Sequence, residues 1–142
     1  MNRNFVMLLL AAAMFAASDP WPTRGPTRAL MQPADLASIK PQPAIFYVGF
    51  PVLYRAAHIT GAVLAGPGSK EEGLELLTKA LRPLPRNREI VLYCGCCPFQ
   101  KCPNIRPAYQ AAASLGFSNV RVLAIETNLH TDWVEKGYPV AR

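Results

Sequence analysis

The chain has 142 residues, four cysteines and a formal net charge of +6, and 51% of its residues are hydrophobic. This length allows one small domain with a modest core. The basic residues are scattered from Arg24 to Arg142 without a dense run or interleaved aromatic residues, so the charge does not indicate nucleic-acid binding.

The first eighteen residues have the pattern of a secretory signal peptide. Arg3 provides a short positive region, residues 5–17 are apolar, and small residues up to Ser18 provide a cleavage site. A helix of about thirteen residues spans only about 20 Å of a roughly 30 Å hydrocarbon core, which disfavours an uncleaved anchor. We therefore predict export to the bacterial periplasm or the medium, with no transmembrane segment after processing. Disulfides can persist in such a compartment.

Residues 19–32 are predicted to be a Pro-rich tether, followed by a domain at residues 33–142. Six prolines between residues 19 and 43 exclude a long helix or a central strand there. Two helical turns are predicted at residues 33–39, because Pro33 suits the first helical position and Leu36 and Ile39 share a face.

The rest of the domain alternates between predicted strands and helices. Short apolar runs bounded by turn residues predict strands at residues 44–48, 62–64, 89–93 and 120–123. Apolar residues at helical spacing predict helices at residues 70–82, from about 107 to 116 and at residues 129–136. Ser69 and Glu72 have the spacing of a capping box for the first of these. This order predicts an α/β fold with a central parallel sheet and helices on both faces.

A cysteine cluster follows the strongest predicted strand. Cys94 comes directly after that strand, at the kind of edge where α/β proteins form functional crevices, and the next helix is predicted to begin just beyond Arg106. We expect the helix dipole and Arg106 to lower the pKa of the Cys94 thiol and to give a nucleophilic thiolate. Structural disulfides are the alternative. However, structural disulfides usually link segments that are distant in the chain. The four cysteines here lie within nine residues, at positions 94, 96, 97 and 102, so a reactive site is favoured.

Four segments resemble the rhodanese-like domain family. Residues 45–62, IFYVGFPVLYRAAHITGA, match the family's strand, Pro-containing turn, Tyr and closing His-Ile-x-Gly-Ala. Residues 90–94, IVLYC, are similar to the strand that ends in the persulfide-carrying cysteine. Residues 116–120 and 133–140 are similar to the closing strand and C-terminal helix. The resemblance implies the rhodanese-like α/β fold over most of residues 36–140.

The resemblance also implies sulfurtransferase activity by covalent catalysis. Cys94 would accept a sulfane sulfur from thiosulfate or a persulfide and pass it to a thiol acceptor, on a small molecule or a protein. Backbone N–H groups of the loop would bind the persulfide or the departing sulfite, and Arg106 would contact an anionic donor. No cofactor is implied.

The chain departs from the family pattern around this loop. Tyr47 and Gly49 replace the usual acidic and basic pair after the first strand. The loop from Cys94 to Arg106 is longer than usual, and the paired glycines before the last helix are missing from residues 124–129.

The longer loop contains three additional cysteines, Cys96, Cys97 and Cys102. They are candidates for resolving a persulfide or an oxidised Cys94, or for a structural disulfide. Cys97 with Cys102 and Cys94 with Cys97 are both plausible pairs, and geometry decides between them.

Other function classes make different demands on these cysteines. Phosphatase- and arsenate-reductase-type relatives need a Cys followed by five residues and an Arg, a spacing that is absent here. Four thiolates could bind zinc, or fewer could bind cuprous copper, but adjacent Cys96 and Cys97 cannot easily face one tetrahedral zinc centre. A metal-binding protein that uses the Cys-rich loop is therefore an alternative, with no metal ligands assigned. A noncatalytic thiol redox or sulfur-sensing module is the other alternative, and such a module would take up one sulfur without turnover.

Overall fold

A five-stranded parallel sheet lies at the centre of the part of the chain that this computed structural model describes, namely residue 21 and residues 28–142. The strands, in chain order, are β1 (Leu30–Met31), β2 (Ala44–Tyr47), β3 (His58–Ile59), β4 (Val63–Leu64), β5 (Ile90–Tyr93), β6 (Val120–Leu123) and β7 (Val140–Ala141). The sheet has the order β1-β6-β5-β2-β4, and β3 and β7 pair antiparallel as a separate ribbon.

Helices connect most of these strands. The α-helices are α1 (Pro33–Ser38), α2 (Pro51–Ala56), α3 (Glu71–Leu81) and α4 (Ile105–Ser114). A 3-10 turn at Phe99–Lys101 and a π-helical turn at His130–Val134 are the other helical segments.

Alternate side chains of the central strands enter two cores on opposite faces of the sheet. Phe46 of β2 and Leu92 of β5 pack on one face with buried residues of α3 and α4. Tyr47 and Tyr93 pack on the other face with α1 and the π-helical turn. Each buried aliphatic or aromatic side chain contributes about 1.5–3 kcal/mol by leaving water. The predicted α/β architecture, with a parallel sheet and helices on both faces, is confirmed.

Two predicted helix starts differ from the structure. Helix α4 begins at Ile105, so Arg106 lies in its first turn and does not precede it. Pro107 fits there because the first-turn N–H groups have no partner within a helix. The capping box of α3 does not form: Lys70 is the N-cap residue and makes no side-chain cap, while the backbone N–H of Ser69 donates to Asn104 Oδ1 at 3.0 Å.

The predicted tether contributes to the fold. Leu30 and Met31 form the edge strand β1, because the short segment before the first helix pairs with β6 in parallel. Trp21 is buried, and its ring meets that of Tyr109 edge to face, with centroids 5.1 Å apart. Edge-to-face contacts of this kind add to the free energy gained by burial.

The predicted signal peptide, residues 1–18, and tether residues 19–20 and 22–27 lie outside the described residues. Within the described ranges, every helix is too short or too polar to cross a bilayer.

Candidate functional site

Cys94 lies at the carboxyl end of β5, as predicted, and is 3% exposed. The backbone ladder continues to this edge, because the N–H of Val48 donates to the carbonyl of Tyr93 at 2.8 Å. Gly95 follows with a φ of +79°, and a β-carbon there would lie 2.9 Å from Leu129 Cβ. The sharp turn at Gly95 therefore fixes where the Cys94 thiol lies relative to the sheet.

The four loop cysteines are free thiols, and Cys96 lies at the centre of the group. The sulfur of Cys96 is 2.9 Å from that of Cys97, 3.3 Å from that of Cys94 and 4.0 Å from that of Cys102. Cys94 and Cys102 are buried, whereas Cys96 is exposed. Neither of the two disulfides considered from the sequence included Cys96, the residue that links the buried thiols to the surface.

Asn104 holds the Cys94 thiol from the far end of the loop. Its Nδ2 donates to Cys94 Sγ at 3.5 Å, and its Oδ1 accepts the Ser69 N–H at 3.0 Å. Asn104 is 1% exposed and occupies the N-cap position of α4 without capping that helix. The sequence analysis missed Asn104, since an Asn before a helix is an ordinary cap and its pattern carries no sign of a partner ten residues away.

Tyr47 and Gly49, which replace the family's usual acidic and basic pair, both lie against Cys94. A β-carbon at Gly49 would be 2.8 Å from Cys94 Sγ and 2.5 Å from the Tyr47 hydroxyl oxygen, so only glycine fits. The Tyr47 hydroxyl donates to the Phe50 carbonyl at 2.9 Å. Burial raises the pKa of Tyr47, so the phenol stays neutral beside the thiol.

A cleft of about 420 Å³ opens beside Cys94. Its walls come from the end of β2, α2, the start of the cysteine loop, the π-helical turn and the C-terminus. The lining residues are Tyr47, Leu53, Ala56, Ala57, Cys94, Gly95, Cys96, Asn128, Leu129, His130, Val134 and Arg142. Arg142 and His130 are its basic side chains, and His130 Nε2 lies 3.2 Å from Glu135 Oε1. The cleft is thus largely apolar, with two basic residues, His130 and Arg142, among its lining.

Arg142 also escaped the sequence analysis. It is far from Cys94 in the chain and belongs to no motif. The pairing of β7 with β3, in register His58↔Ala141, brings it to the cleft.

The contacts among the thiols move their pKa values in opposite directions. The hydrogen bond from the Cys94 thiol, helped by the backbone N–H of Asn104, lowers the pKa of Cys102 to about 5 despite its burial. The same contact with Cys102, together with burial, raises the pKa of Cys94. Burial and the contact with Cys96 raise the pKa of Cys97 to about 12. Cys102 is thus the thiol of this cluster whose pKa is lowered.

The predicted lowering of the pKa of Cys94 by the helix dipole and Arg106 is wrong. Cys94 is buried, and its thiol donates a hydrogen bond to Cys102. This contact raises the pKa of Cys94 and lowers that of Cys102. The guanidinium carbon of Arg106 lies 4.4 Å from the Trp21 ring centroid, and Arg106 is not among the residues that line the cleft. A role for Arg106 as an anion contact stays a prediction.

Three of the thiols are arranged as metal ligands could be. The sulfur atoms of Cys94, Cys96 and Cys102 all lie within 4.8 Å of one another. Cys97 is outside this group.

Comparisons with known proteins agree with the fold. The family model of the rhodanese-like domain matches residues 32–125, which is more than half of the chain. No curated protein sequence matches the chain significantly.

Solved structures share the fold at low sequence identity. A rhodanese-like domain from Anabaena sp. is 23% identical with a TM-score of 0.57, over 80% of this chain and 78% of that one. A rhodanese-related protein from Thermoplasma volcanium is 20% identical with a TM-score of 0.54, over 78% and 95%. A single-domain sulfurtransferase from Saccharomyces cerevisiae is 17% identical with a TM-score of 0.52, over 82% and 94%. On the family match and the shared fold, this chain belongs to the rhodanese-like domain family.

Proposed function

We propose that this protein is a rhodanese-type sulfurtransferase or persulfide carrier. Cys94 accepts a sulfane sulfur from thiosulfate or a persulfide and passes it to a thiol acceptor. The observation that carries the proposal is the position of the Cys94 thiol, which lines a cleft large enough for a small anion and contacts a second thiol 3.3 Å away.

Cys102 would act as the base that activates Cys94. Its thiolate shares a hydrogen bond with the Cys94 thiol and can take the Cys94 proton as the Cys94 sulfur attacks. Cys94 is protonated at rest, so its proton moves to Cys102 only in the course of the attack.

The loading step balances without an external oxidant. Cys94 Sγ forms a bond to the outer sulfur of thiosulfate, the sulfur–sulfur bond of thiosulfate breaks, and sulfite leaves with the bonding electron pair. The proton of Cys94 moves to Cys102, and Cys94 is left as a persulfide anion. Arg142, in the wall of the cleft, would hold the dianionic donor and stabilise the departing sulfite.

The Cys94 persulfide can react in two ways. An acceptor thiol that attacks its outer sulfur takes that sulfur away as a new persulfide and returns the Cys94 thiol. Alternatively, Cys96 attacks Cys94 Sγ, which expels hydrogen sulfide and leaves a Cys94–Cys96 disulfide. The 3.3 Å contact between these sulfur atoms supports Cys96 as the resolving cysteine among the three candidates.

Export remains part of the proposal. It rests on the pattern of residues 1–18 alone, and it would place the thiols where Cys94–Cys96 oxidation is sustained.

The test is the intact mass of the purified, reduced protein before and after thiosulfate. We expect a gain of one sulfur atom that cyanide or a thiol removes, and no gain in Cys94→Ser. Cys97→Ser is the matched control and should load normally, because Cys97 is neither the nucleophile nor the base.

Steady-state assays distinguish a sulfurtransferase from a protein that only binds one sulfur atom. Repeated release of sulfite in the presence of an acceptor thiol indicates an enzyme, whereas a single sulfur retained per chain indicates the noncatalytic sulfur-sensing alternative. Loading that survives Cys94→Ser would contradict the proposal.

A further inference from the structure

We propose that Cys94, Cys96 and Cys102 form a binding site for one cuprous ion. The three sulfur atoms lie within 4.8 Å of one another, with contacts of 3.3 Å from Cys96 to Cys94 and 4.0 Å from Cys96 to Cys102. The site is distinct in chemistry from sulfur transfer and does not rest on the proposed function.

The spacing of the sulfur atoms suits trigonal coordination. A metal–sulfur bond of about 2.3 Å in a planar set of three places the sulfur atoms about 4.0 Å apart. The separations from Cys96, 3.3 and 4.0 Å, lie at or within one ångström of this value, and the third is at most 4.8 Å, so small side-chain movements accommodate an ion. A cuprous ion prefers soft thiolate ligands and accepts three of them.

The number of ligands favours cuprous copper over zinc. Structural zinc sites are almost always tetrahedral with four protein ligands. Among the described residues, the group of potential metal ligands at this position consists of these three cysteines. Cys97 is not part of this group. The sequence-based argument against zinc assumed that Cys96 and Cys97 would both have to face one tetrahedral centre, and a trigonal site needs only Cys96 of the two.

The surroundings support an anionic, shielded ligand set. Cys94 and Cys102 are buried, and cysteines bind metal ions as thiolates. Asn104 Nδ2 donates to Cys94 Sγ, the kind of outer hydrogen bond that orients a metal ligand. Binding of a cuprous ion would therefore release the thiol protons of its ligands.

The three ligands differ in their exposure to solvent. Cys94 and Cys102 are buried, where a cuprous ion is protected from oxidation, and Cys96 is exposed, where the ion can arrive from a carrier. Because Cys94 is a ligand, a chain that holds copper cannot take up sulfane sulfur at the same time.

The test titrates the reduced protein with Cu(I) under anaerobic conditions, in competition with the chromogenic chelator bicinchoninate and without any sulfur donor. We expect one Cu(I) per chain and a loss of affinity of at least about tenfold in Cys94→Ser, Cys96→Ser and Cys102→Ser. Cys97→Ser is the matched control and should keep the affinity of the unaltered protein.

X-ray absorption spectroscopy of the copper-loaded, unaltered protein measures the number of sulfur ligands and their distance from copper. It needs no variant, so a variant that fails to fold does not affect it. We expect three sulfur ligands at the bond length of trigonal thiolate sites. Two sulfur ligands, or an equal loss of affinity in Cys97→Ser, would overturn the proposal. Since no sulfur donor is present, failure here leaves the loading of Cys94 by thiosulfate untouched, and failure of loading leaves copper binding untouched.

Discussion

The side-chain amide of Asn104 donates a hydrogen bond to the sulfur of Cys94, with Nδ2 3.5 Å from Sγ. The other end of the same amide accepts the backbone N–H of Ser69 at 3.0 Å. One buried side chain therefore ties the loop before α3 to the thiol at the end of β5. Its loss would leave both the thiol and the N–H without this partner.

We expect Asn104→Ala to lower the free energy of unfolding by about 1–3 kcal/mol, because the Ser69 N–H loses its acceptor. Loading of Cys94 by thiosulfate should also slow, since the sulfur is no longer held. Denaturant unfolding and mass-detected loading measure the two effects. Asn87→Ala, in an exposed turn, is the control and should change stability by less than about 0.5 kcal/mol. Unchanged loading in Asn104→Ala would show that the amide does not position the thiol.

Gly49→Ala should damage the site more than the fold. The new methyl group would lie 2.8 Å from Cys94 Sγ and 2.5 Å from the Tyr47 oxygen, so both must move. We expect a loss of about 1–3 kcal/mol in stability and a fall of between about tenfold and 100-fold in the rate of sulfur loading.

The matched control for that variant is Gly116→Ala. Gly116 has a φ of +87° and nothing within 4 Å of its β-position, so alanine there costs about 1–2 kcal/mol of backbone strain without touching Cys94. Equal loading rates in the two variants would contradict the steric argument.

The pH dependence of the thiols should reveal Cys102. Its pKa is lowered to about 5, so thiolate absorbance in the ultraviolet should rise by one thiolate per chain through about pH 5, and Cys102→Ser should remove this step. Absence of thiolate below pH 7 in the unaltered protein would contradict the assignment.

The lowered pKa of Cys102 also makes the free energy of unfolding depend on pH. Between about pH 5 and the ordinary thiol pKa of 9, the unfolded chain keeps the Cys102 proton and the folded chain does not. The contribution is therefore complete above pH 9 and is lost as the pH falls through about 5, so stability should rise with pH across this window. In Cys102→Ser that part of the slope should be absent from denaturant unfolding curves.

Arg142→Gln should weaken the use of anionic donors. Arg142 lines the cleft that contains Cys94, so we expect KM for thiosulfate to rise about tenfold, with little change for a neutral persulfide. Arg106→Gln is the informative comparison, because Arg106 packs on Trp21. If Arg106→Gln raises KM for thiosulfate more than Arg142→Gln does, the anionic donor is contacted by Arg106, as predicted from the sequence, and not by Arg142.

The sequence predicted the fold because its elements are local patterns. Alternating apolar runs and helical repeats identified β2, β5, β6, α3 and α4 to within about two residues. The position of Cys94 followed from the end of β5 alone. β1 and the β3–β7 ribbon were missed, since strands of two residues carry no periodicity and depend on partners far along the chain.

The chemistry of the site depends on contacts that spacing does not encode. Cys94 was identified correctly as a cluster member, but the charge on Cys102 arises from a hydrogen bond between two buried thiols. Asn104 acts through both ends of its amide, and Arg142 reaches the cleft through strand pairing. Each of these relationships appears only when the loop, α3 and the C-terminus are brought together.

The β3–β7 ribbon has a consequence for which acceptors can reach Cys94. The ribbon pairs only two residues on each strand, His58 with Ala141 and Ile59 with Val140, and Arg142 follows directly at the cleft. Ribbons this short open locally at a small fraction of the free energy of global unfolding. We therefore expect amide hydrogens of the ribbon to exchange with solvent far faster than those of β5. Opening of the ribbon would also free Arg142 from its place at the cleft, so that an acceptor too large for the closed form could approach Cys94.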